Sequence, residues 1–82
     1  MTPEVLADVA AALGLPTDEV VVHEAVLSGL REEGLLAGTR NRWTFTPSRP
    51  LKEEEVHALA YAAAVAAGLE EEGLVVPWEE AW

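Results

Sequence analysis

Apolar residues recur at helical spacing along the first part of the chain. Val5, Leu6, Val9 and Leu13 fall on one stripe. Thr2, Pro3 and Glu4 supply an N-cap, a first-turn proline and a dipole-matched acid. Gly14, Leu15 and Pro16 then read as a left-handed stop, so the first helix is expected to end near Leu13. Thr17 reads as the next N-cap, with Asp18 and Glu19 in the first turn and Val20, Val22, Val26, Leu27 and Leu30 as the apolar stripe up to Gly34. The run Val20-Val21-Val22 suits a strand as well as a helix; the acids before it and the periodicity after it favour helix.

The period changes after Leu35. Trp43 and Phe45 alternate with Arg42, Thr44 and Thr46, which predicts a β-hairpin over residues 35–46. Pro47 and Pro50 close it. A third helix opens with Glu53, Glu54 and Glu55, and its expected apolar face is Val56, Leu59, Ala60, Ala63 and Ala67, widened by Tyr61, Val65 and Leu69. Two segments resemble one another: VLSGLREEGLL from Val26 and VAAGLEEEGLV from Val65. Each reads as a helix running into a strand, with Gly34 and Gly73 as the caps, Gly68 inside helix three, and Val75-Val76 as a candidate third strand. A shared way of ending a Glu-rich helix explains the likeness equally well. The expected layout is an α+β chain, mainly α: a single domain over residues 1–74 and a Trp-containing tail over residues 75–82.

A chain of 82 residues supports one compact domain. Half of its residues are hydrophobic but few are aromatic, so the core must be built from Leu, Val and Ala. Cysteine is absent, which removes disulfides and thiolate metal ligands, and two isolated histidines, His23 and His57, make a poor zinc site. No metal or cofactor is expected. The start, Met1-Thr2-Pro3-Glu4, lacks the basic flank and apolar run of a signal peptide, and no apolar stretch is long enough to span a membrane. The expectation is a cytoplasmic protein without a membrane partner. Its Glu- and Ala-rich, cysteine-free composition suits a thermophile.

Charge is unevenly distributed. Residues 37–52 carry Arg40, Arg42, Arg49 and Lys52 and no acid, while the remainder sets Arg31 against all 15 acids; +4 and −14 together make the net charge of −10. Trp43 among these arginines is a candidate grip for phosphate and a stacking platform for a base. The alternative is that Trp43 and Phe45 cover the core while the arginines pair with the chain's own glutamates. In the tail, Trp78 and Trp82 stand at i and i+4, a candidate protein-docking or homodimer contact. The pairs His23 with Glu24 and His57 with Glu54 place a base beside a carboxylate. No nucleophile or phosphate-loop pattern accompanies them, and Ser28 lacks an elbow, so no enzyme is expected.

The order of helix, tight turn, helix ending Leu-Arg-Glu-Glu-Gly-Leu-Leu and hairpin ending Trp-Thr-Phe-Thr-Pro resembles the winged helix-turn-helix superfamily over residues 5–47. The resemblance implies that LADVAAALGL from Leu6 is the positioning helix, residues 17–33 the recognition helix and residues 38–46 the wing. No helix precedes residue 3, so the usual first helix is missing unless helix three takes its place. The implied recognition helix carries Asp18, Glu19, Glu24, Glu32 and Glu33 against Arg31 alone, which disfavours a duplex whose binding depends on cations. Three functions follow as expectations. The first is a non-enzymatic domain binding a protein partner in a transcription- or replication-type machine. The second is an acidic inhibitor, of the phage or mobile-element kind, that mimics nucleic acid in a basic cleft. The third is nucleic-acid contact through a wing carrying Arg40, Arg42 and Trp43.

Overall fold

The computed structural model describes residues 3–78. Helix α1 spans Pro3–Leu13, α2 spans Thr17–Glu32, strands β1 and β2 span Leu36–Thr39 and Arg42–Phe45, and α3 spans Glu53–Glu71. The protein is therefore α+β and mainly α, as the pattern predicts. Thr2, the expected cap of α1, lies outside the described residues.

All three helices stop in the same way. Gly14, Gly34 and Gly73 take positive φ, and the leucine after each donates its N–H five residues back: Leu15 to Ala10, Leu35 to Leu30, Leu74 to Leu69. This cap satisfies the last carbonyls; it buries Leu35 and half-buries Leu15, while Leu74 stays exposed. That shared chemistry accounts for the likeness between the segments from Val26 and Val65. The Val75-Val76 strand does not form: the only sheet among the described residues is the β1–β2 pair.

The start of α2 differs from expectation. Pro16, not Thr17, holds the N-cap position, at φ −61 and ψ 147, with no side-chain cap bond. Its ring presets the φ, and its carbonyl accepts from Glu19 and Val20. The valine run is helical, but Val22 is exposed and only Val20, Leu27 and Leu30 are buried.

The apolar face of α3 is turned by about one residue, or about 100°. Val56, Ala60, Ala63 and Ala67 face solvent, while Ala58, Tyr61, Ala62 and Val65 are buried and Leu59 and Leu69 are half-buried. Glu55 explains the turn. Its carboxylate accepts the Lys52 N–H at the helix start and two bonds from Arg49, so it points inward and carries the 55–58–62–65 stripe with it.

These elements enclose one core. Val9 and Ala10 of α1, Val20, Leu27 and Leu30 of α2, Leu35 and Leu36 at the start of the hairpin, and the α3 stripe make it up. Trp43 and Phe45 pack against its margin while Arg42 and Thr44 face out, in the predicted alternation.

Candidate functional site

The hairpin is the expected grip for phosphate, and its geometry is set by a two-residue turn. β1 and β2 pair antiparallel with Gly38 opposite Trp43 and Thr39 opposite Arg42, leaving Arg40 and Asn41 as the turn. Neither takes positive φ, so the usual glycine-type hairpin turn is not used. Bonds from outside hold it instead. Arg40 N–H donates to Val76 O at 2.8 Å, the Asn41 amide donates to Leu74 O, and Asn41 Oδ1 accepts from Val76 N–H at 3.2 Å. Residues 74–76 thus meet the turn rather than a strand edge.

Both turn side chains are buried. Arg40 is 2% exposed, and its guanidinium bonds the carboxylate of Glu24 on α2. The Trp78 ring lies under two cations, with Arg40 Cζ 4.6 Å and Arg31 Cζ 4.9 Å from its centroid. Such contacts strengthen as water is removed from them. Tyr61 completes the cluster: burial, with the nearby charge of Glu24, pushes its hydroxyl up to about 12, and its ring stacks on His23 at 5.2 Å.

Arg49 is also committed within the chain. It bonds Glu33 at 3.0 and 3.1 Å and Glu55 at 2.8 and 2.6 Å, joining the ends of α2 and α3. The Arg49 hydrogen bonds, then the Lys52 N–H, hold Glu55 down to about 2, and the same carboxylates raise Arg49.

The five residues expected at one grip therefore separate. Arg40 is spent on Glu24 and Trp78, Arg49 on Glu33 and Glu55, and Trp43 on the core margin; Arg42 and Lys52 remain exposed. Trp78 packs inward, and Trp82 lies outside the described residues. Of the two His–Glu pairs, Glu24 serves Arg40, and His57 sits 3.5 Å from Glu53. Among the described residues no three His, Asp or Glu side chains gather as a metal site, and no helix is long and apolar enough to cross a membrane.

No family model matches the chain, nor does any curated protein or solved structure.

The surface that sequence reasoning missed lies on α2. Its outward residues are Asp18, Val21, Val22, Ala25, Ser28 and Glu32: apolar or small side chains between carboxylates, with no cation. Val21 and Val22 are each about half exposed, at 52% and 53%. Beside this face, a groove of about 590 Å³ opens between α2 and α3, lined by Leu15, Val22, Ala60 and Tyr61 with Asp18, Glu19 and Glu54 and the two histidines, His23 and His57. The signal is present in the spacing. Val20, Leu27 and Leu30 define the inward stripe, and the positions between them at helical spacing are His23 and Glu24. Filling a core stripe with a histidine and a glutamate leaves a valine outside.

Proposed function

We propose that the protein is a non-catalytic interaction domain of winged-helix type that binds a protein partner through the outward face of α2. One observation carries this reading: α2, the recognition helix that the winged-helix resemblance implies, offers valines and carboxylates outward, while two cations of the basic segment, Arg40 and Arg49, are held by glutamates of the same chain. Nucleic-acid affinity draws on free Lys and Arg, so the reading favours protein over phosphate. Exposed apolar residues rimmed by charge are the ordinary composition of a protein contact. Fifteen acids against five cations favour a partner with a basic surface. A place in a transcription or replication machine follows from the winged-helix likeness alone and is proposed on that analogy.

The test compares capture from cell extract by the wild type, by Val21→Arg/Val22→Arg and by Arg42→Ser/Lys52→Ser. The reading expects a protein retained by the wild type to be lost with the valine variant and kept with the cation variant. The opposite pattern overturns it.

A further inference from the structure

The groove between the N-terminal halves of α2 and α3 has a chemistry that names its occupant more closely than the proposed function does. Its floor is apolar: Leu15 from the α1–α2 turn, Val22 from α2, Ala60 and Tyr61 from α3. Its rim carries Asp18 and Glu19 on one side and Glu54 on the other; His23 and His57 line it as well, and no lysine or arginine does. Each carboxylate also complements the N-terminal dipole of its helix, which explains the acids singly. It does not explain an open apolar floor between them. The volume of about 590 Å³ lies within the range of a working ligand cleft.

We infer that this groove seats a basic amphipathic segment of the protein partner, its apolar side chains on Leu15, Val22, Ala60 and Tyr61 and its lysines or arginines facing Asp18, Glu19 and Glu54. The inference rests on the interaction-domain reading and adds the site and the chemistry of what enters it. Charge complementarity selects the occupant. A second copy of the chain brings a further net charge of −10 to an acidic rim, and a nucleic-acid strand brings phosphates to it; both are repelled. A cationic helix with one apolar stripe matches floor and rim together, the arrangement by which helical segments dock in grooves.

The probe is a roughly 14-residue amphipathic Leu/Lys helix, added to the full chain labelled for amide-resolved NMR. Leu/Glu and Lys/Ser peptides of the same length serve as comparators. The expected result is a set of shifts at Leu15, Val22, His23, His57, Ala60 and Tyr61 with the Leu/Lys peptide only. Affinity should fall about tenfold or more in Asp18→Asn/Glu19→Gln/Glu54→Gln, whose unchanged spectral dispersion reports that it remains folded. Shifts elsewhere on the protein, equal binding by either comparator, or undiminished affinity in the triple variant overturns the assignment. If the groove fails in this way while Val21→Arg/Val22→Arg still abolishes capture, the interaction reading stands and only the groove assignment falls.

Discussion

Arg40 at the hairpin turn and Glu24 in the middle of α2, 16 residues apart in sequence, form an ion pair on the inner side of the molecule. The pair ties the turn to the helix, and it converts the most prominent cation of the basic segment into a structural one.

Removing one member strands the other. Arg40→Gln should lower stability by about 3 kcal/mol, the low end for breaking a buried pair, because Glu24 keeps some contact with water. The urea midpoint is expected to fall with little change in slope. Arg40→Met combined with Glu24→Leu should cost less than Arg40→Gln alone, since no charge is left without its partner. If the double variant instead costs the sum of two large single effects, the pair is not coupled as described.

Glycines test the hairpin and the helix in opposite directions. Gly38 has φ +114, and a Cβ there would lie 2.5 Å from the Arg42 carbonyl oxygen and 3.0 Å from Trp43 Cα. Gly38→Ala should therefore destabilise the protein by more than about 1 kcal/mol, the backbone having no room to yield. Gly29 lies inside α2, and a methyl group added there would meet nothing within 4 Å. Gly29→Ala should stabilise by about 0.5–1 kcal/mol. Thermal midpoints moving the same way in both variants would contradict this assignment.

Acid should unfold the protein partly through Glu55. Its carboxyl is held at about 2 against an ordinary 4.5, chiefly by Arg49, so the folded state takes up its proton less readily than the unfolded chain. The contribution is fully present above about 4.5 and is lost as pH falls toward 2. In thermal unfolding followed across that window, Glu55→Gln should start lower at neutral pH and decline less steeply. Parallel curves for the two proteins would count against the Arg49 clamp.

Tyr61 reports the opposite limb. It is the only tyrosine, so phenolate absorbance reads it directly. Burial and Glu24 raise it to about 12, and the folded state therefore holds this proton more tightly than the unfolded chain at 10. Its contribution is present below pH 10 and is lost as pH rises through about 12. The phenolate should appear near the upper value together with loss of structure; titration near 10 in the folded protein would place Tyr61 in water.

Much of the fold is legible in the pattern of residues because its signals are local. Gly-Leu stops at Gly14, Gly34 and Gly73 mark the helix ends, and the Trp43/Phe45 alternation marks the outer strand. The face of α3 is not legible in the same way. Small Ala residues surround the helix, and it is the bonds from Glu55 to Arg49 and Lys52 that decide which of them turns inward. The basic segment leaves two readings open for a similar reason. Residues 37–52 suit phosphate or internal pairing equally in the sequence, and the carboxylates that engage Arg40 and Arg49 come from α2, its C-terminal turn and α3, which only folding brings together.

The claim that these arginines are committed within the chain is most directly tested by the salt dependence of binding to a labelled DNA duplex, started at about 50 mM salt where phosphate contacts are strongest. With Arg42 and Lys52 as the exposed cations of the basic segment, any association should be weak, with a log–log slope no steeper than about −2, at roughly −0.9 per neutralised phosphate. Tight binding with a slope near −4, lost in Arg40→Gln or Arg49→Gln, would mean that those arginines leave Glu24, Glu33 and Glu55 for phosphate, and would contradict the account.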